Sequence, residues 1–167
     1  MFDFIKQIFI KHNLSVNQNF SGIKSYPEII KTAGLFCANA NQIDTNLITK
    51  VKNALGSQTQ FLIFGIFGDD GNKDIQDLNF KQFNLFGKFI NPSVKKNLSD
   101  LDMLIDITRQ HTVIKDYAIS FAHKAYKISM GQYAENKYHL CIDVINSNQD
   151  IFVDEMIKYH KILSHAK

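Results

Sequence analysis

The sequence has no tryptophan, one arginine, two prolines and two cysteines. Each shortage removes a class of explanation. Cys37 and Cys141 lie far apart, each inside an apolar run. A cysteine metal site needs closer spacing and histidine partners, and cytosolic disulfides are rare, so both read as buried thiols. Arg109 is the single arginine, and every other basic group is lysine. Lysine suits diffuse phosphate contact better than bidentate recognition. A net charge of +3 is mildly basic. It falls short of a dedicated nucleic-acid binder and leaves nucleic acid open as a partner.

Long apolar runs are also missing. None approaches the roughly 18–20 residues that span a bilayer. Asp3, Lys6 and Gln7 interrupt the N-terminal apolar residues, and no small-residue cleavage site follows. The first residues therefore do not read as a signal peptide, and a cytoplasmic chain is expected. No Gly-x-Gly-x-x-Gly and no Gly-Lys-Ser/Thr loop occurs. The first strand runs instead into Ala38-Asn39-Ala40-Asn41. No serine or cysteine stands in a nucleophile elbow. Asp69, Asp70, Asn72 and Asp74 resemble half a calcium loop, but the glutamate that completes one is missing. They read as a polar turn. No cofactor and no metal is called for, and catalytic residues are not predicted.

What is present is a core and a rhythm. The 167 residues fit one domain, and with 45% hydrophobic residues and 14 phenylalanines they can bury a full core. Residues 1–14 predict an amphipathic helix with Phe2, Ile5, Ile8 and Phe9 on one face and Lys6, Gln7 and Lys11 opposite. Residues 15–28 read as a linker, giving a division into helix and linker (1–28) and an α/β domain (29–167). Continuous apolar strands are predicted at 32–38, 61–67, 101–107, 126–129 and 139–144. Helices between them start at Asp44 or Thr45, at Pro92, at Thr112 and at Asp150. The expected fold is a single three-layer α/β/α sandwich with a mostly parallel sheet of about five strands.

Two strands carry an aspartate in the same frame, Leu104-Ile105-Asp106-Ile107 and Cys141-Ile142-Asp143-Val144. With Phe86-Gly87-Lys88, Ala125-Tyr126-Lys127-Ile128, Gly131 and Tyr138, they form a series that resembles an uncharacterised family of small cytosolic α/β proteins of Bacteroidetes-type bacteria. The similarity covers roughly residues 28–163. It implies one domain and supplies no activity. One departure, Ile128-Ser129-Met130-Gly131, predicts a frayed or bulged strand end. A weaker similarity, through the Ile-Asp and Lys-Ile frames, is to heptosyltransferase-like glycosyltransferases. Those two-domain enzymes need about twice this length.

Candidate ligand-binding residues are Asp106, Thr108, Arg109 and His111. They fall where a strand should end and a helix begin, which is where open α/β sheets bind ligands. A helix start at Thr112 adds free N–H groups, Arg109 could grip an anion, and His111 could move protons. The plainer reading is local capping by Asp106 and solvated Arg109 and His111. Asp106 and Asp143 could together hold Mg²⁺, but no third acidic ligand is placed beside them.

Candidate partner-binding residues are Phe2, Ile5 and Phe9 on the first helix, and Phe83, Phe86 and Lys88 in the aromatic segment 80–89. Such a segment can stack bases, meet a partner, or bury itself as a flap on the sheet. The leading expectation is a non-enzymatic binding or adaptor module for a protein or ribonucleoprotein assembly. Weak membrane-surface contact through residues 1–14 is a further reading of the same helix. The alternative is a small enzyme or ligand-binding domain for a phosphorylated metabolite or nucleotide at the strand C-terminal ends.

Overall fold

Four apolar stretches, Thr32–Cys37 (β1), Gln60–Gly65 (β2), Met103–Asp106 (β4) and Tyr126–Met130 (β5), pair side by side and all in parallel. Two three-residue edge strands, Ile75–Asp77 (β3) and Leu140–Ile142 (β6), complete the sheet in the order β3-β2-β1-β4-β5-β6. The computed structural model describes residues 2–16, 25–38, 43–66, 75–131 and 137–165. The calcium-like turn at Asp69–Asp74 and the Asn39–Asn41 loop lie outside them.

The described sheet thus has six strands rather than about five. β3 gives no apolar run to read, because it is only Ile75, Gln76 and Asp77. It forms because β2 presents a free edge, where Ile63, Phe64 and Gly65 pair with those three residues. β5 also departs from expectation. It is neither frayed nor bulged. Its register runs unbroken from Met103↔Tyr126 to Met130↔Ile142, and Gly131 ends it at a positive φ of 99°.

The helices are Phe2–Val16 (α1), Thr45–Leu55 (α2), Pro92–Ser99 (α3), Val113–Phe121 (α4) and Gln149–His165 (α5). Asp44 caps α2, Asn91 caps α3 and Thr112 caps α4 through their side-chain oxygens. At α5 the cap is Asn148 rather than Asp150. Its Oδ1 accepts from the backbone N–H groups of Asp150 and Ile151. The helices cover both faces of the sheet. Leu47, Val51 and Leu55 of α2 and Phe152, Val153 and Met156 of α5 pack on one face. Ile10 of α1, Val94 and Leu98 of α3, and Ile114, Tyr117 and Ala118 of α4 pack on the other. The fold is the three-layer α/β/α sandwich expected.

The C-terminal part of the predicted linker is anchored. Tyr26 packs edge-on against Tyr126 and its hydroxyl meets His160 Nδ1 of α5. Strand starts are tied by Asp102, whose carboxylate accepts from the N–H groups of Lys31 and Thr32 at the foot of β1.

Candidate functional site

Strand alternation decides where Asp106 goes. Met103 and Ile105 point to the α2/α5 face, so Leu104 and Asp106 point beneath α4. Asp106 is completely buried. An unpaired carboxylate there would be very costly. Its Oδ1 accepts from the Thr108 N–H at 2.8 Å and the Thr108 hydroxyl at 2.7 Å. Its Oδ2 receives Lys115 Nζ at 3.0 Å and the Tyr138 hydroxyl. Lys115 also donates to Thr108 Oγ1 at 2.9 Å, closing the network.

The local reason for Lys115 is the cap. Thr112 Oγ1 accepts from the Lys115 N–H at 3.1 Å, which fixes the first turn of α4 with that side chain over the sheet. Lys115 is only 2% exposed. The cluster joins the end of β4, the start of α4 and the chain entering β6. It holds these elements together, and no face of it is open to a substrate.

The remaining candidates diverge from it. Arg109 donates to the Val144 carbonyl at 2.8 Å and lies 3.4 Å from Asp143, bridging the ends of β4 and β6. His111 lies 3.6 Å from Asp116 Oδ2, which also receives Lys137 at 2.6 Å. His111 and Thr112 border an open cleft of about 450 Å³ shared with Gln7, Asn79, Phe80 and Ile114. Asp106, Arg109 and His111 therefore do not converge in one pocket. Nor do the two strand-end aspartates form a cation site, since Asp106 is fully engaged and Asp143 faces Arg109. Among the described residues no three His, Cys, Asp or Glu side chains gather as a metal site would need. Cys37 and Cys141 sit on β1 and β6, three strand spacings or about 14 Å apart, too far for a disulfide.

A second surface has the opposite character. α1 lies against α4, and the side it turns inward is its more polar one. Lys6 Nζ donates to the Phe80 carbonyl and Asn13 Nδ2 to the Phe86 carbonyl, both at 3.0 Å. Only Ile10 is fully buried there, with Leu14 partly so. Loop 84–88 comes so close that a Cβ on Gly87 would stand 2.9 Å from the Ile10 nitrogen. The apolar stripe of the helix consequently faces solvent. Phe2, Phe4 and Phe86 are 66%, 67% and 63% exposed, and Ile5, Ile8, Phe9, Leu85 and Ile90 are exposed with them. Phe9 meets Phe86 edge-on, so helix and loop tip form one continuous surface.

Phe83 does not belong to that surface. It is fully buried, its ring tilted against those of Phe89 and Tyr117. A turn of the loop, closed by Lys88 O accepting from the Asn84 N–H, places Phe83 inside and Phe86 outside. Lys88 is exposed beside Phe86 and borders a shallow depression with Asn13, Lys95, Tyr117 and Phe121. Burial pushes the Tyr117 phenol up, against a smaller opposing pull from a hydrogen bond with Asn13.

A family model described as a family of unknown function (DUF6913) matches residues 3–163. The chain belongs to this family. No curated protein and no solved structure matches it. The DUF6913 match begins within α1, at residue 3. Lys115 and Tyr138, the partners of Asp106, were not singled out from the sequence. A signal existed: an aspartate in a continuous apolar strand demands a cation, and Lys115 stands three residues after the capping Thr112.

Proposed function

We propose that this DUF6913 chain is a non-enzymatic binding module that docks through the outward face of α1 and the tip of loop 84–88. One observation carries the reading: α1 packs by its polar side and exposes Phe2, Ile5, Phe9 and Phe86 together. Exposed apolar surface of this extent on one contiguous face is a mark of an interaction site. The adaptor role expected from the sequence rests on the same surface. The setting that goes with it is cytoplasmic and bacterial. The sheet order 3-2-1-4-5-6 supports a Rossmann-like ancestry. Ligand binding at Asp106, Thr108, Arg109 and His111 gains no support from the geometry, because the four side chains serve three separate contacts.

The test is sedimentation of native extract through a density gradient. The wild-type chain is expected in fractions well above its own 19.2 kDa, and a Phe2→Ser/Phe9→Ser/Phe86→Ser variant at the monomer position. A wild-type chain that runs as a free monomer sinks the reading.

A further inference from the structure

We infer that the occupant of this face is an anionic membrane surface, with Phe2, Ile5, Phe9 and Phe86 entering the interface and lysines holding the phosphates. The inference rests on the docking reading and names its partner. Charge is the first argument. Residues 2–16 and 79–99, which build this side of the molecule, carry six lysines against a single acidic residue, Asp3. That excess of five exceeds the +3 of the whole chain, so the rest of the protein is net acidic. Lys11, Lys81, Lys88 and Lys95 are all exposed. Basic residues beside inserted apolar side chains are what an interfacial helix uses on anionic lipid.

Composition is the second argument, because it separates lipid from protein. Protein interfaces are enriched in Trp, Tyr, Phe and Arg and poor in lysine, so it is the lysines, not the phenylalanines, that favour lipid. This face exposes phenylalanine, isoleucine, leucine and lysine. The chain has no Trp, its one arginine bridges β4 and β6 elsewhere, and Tyr117 beneath the face is buried. A second copy of the chain fits poorly too. A symmetric contact would set the lysines of one copy against those of the other.

The shape agrees. The apolar groups form a ridge along the side of a helix and the tip of a loop, joined where Phe9 meets Phe86. α1 is held below them by Lys6 and Asn13, so the ridge is preformed and little ordering accompanies insertion.

The experiment is flotation of the purified full-length protein with two kinds of vesicle, phosphatidylcholine alone and phosphatidylcholine containing phosphatidylglycerol. Recovery with the anionic vesicles is expected about tenfold higher and falls as salt is raised. Phe2→Ser/Phe86→Ser and, separately, Lys88→Glu/Lys95→Glu should each remove about nine-tenths of that recovery. Thermal melting of both variants should stay close to wild type, since the altered side chains are exposed and lose only the Phe9–Phe86 and Lys95–Phe121 contacts. Equal recovery on both vesicles, or recovery indifferent to both variants, overturns the inference. A purified protein that runs as a dimer and is split by Phe2→Ser/Phe86→Ser also overturns it, in favour of a second copy. Loss of the heavy gradient fraction in the apolar variant, without flotation, leaves the docking reading standing and assigns the face to a protein.

Discussion

Two regions of this molecule invert the usual distribution of polar and apolar groups, in opposite directions. Under α4, an aspartate, a lysine, a threonine and a tyrosine are buried together. On α1 and loop 84–88, phenylalanines and isoleucines stand in water. The first inversion is internally complete, since each oxygen of Asp106 has its donors. The second has no complement within the described chain. Buried polarity with every partner present points to architecture, and exposed apolarity without a partner points outward.

The sharpest way to break the comparison is at Asp106. Asp106→Ala leaves Lys115 charged and buried, and should cost about 3–5 kcal/mol in urea denaturation. Asp106→Leu/Lys115→Met should recover most of that loss, because the pair is replaced by apolar volume. A double variant as unstable as the single one would mean that Thr108 and Tyr138, left without their buried acceptor, carry the cost. Phe83 and Phe86, three residues apart, divide the two regions within one loop. Phe83→Ala should cost about 3–5 kcal/mol and Phe86→Ala within about 0.5 kcal/mol. Similar costs for the two would contradict the loop geometry.

A smaller effect is expected at Gly87, where φ is +69° and a side chain would press on α1. Gly87→Ala should cost about 2 kcal/mol, with hydrogen exchange rising first along α1. The smallest concerns pH. Burial lowers the pKa of His160 below its ordinary value, with Lys161 and His165 adding to the shift and a backbone contact at Ala54 opposing it. The unfolded chain therefore takes up the proton first. The neutral imidazole's contribution is complete well above about pH 6.5 and is lost as pH falls from there towards the folded pKa. His160→Gln should flatten this part of the stability profile, and an unchanged slope would assign it to another group.

Much of the fold was legible because continuous apolar strands and side-chain caps are local signals. Thr32–Cys37, Gln60–Gly65 and the Thr112 cap needed no tertiary information. β3 was not legible, since Ile75, Gln76 and Asp77 become a strand only when β2 offers an edge. At the site, the apolar stripe of α1 could be read from its period, but its direction could not. Amphipathic helices usually bury that stripe. Here Lys6 and Asn13 find carbonyl acceptors and reverse the choice. Asp106 was visible for the same reason as its strand, whereas its pairing with Tyr138 depends on packing across 32 residues of chain.

The two bonds that seat α1 end on the carbonyl oxygens of Phe80 and Phe86, not on their side chains. Attachment and recognition are therefore written in different alphabets, one in main chain and one in side chain. The residue at position 86 can change without loosening the helix beneath it. Relatives that need a different surface could retune the loop tip freely, and an engineer could graft a new one there.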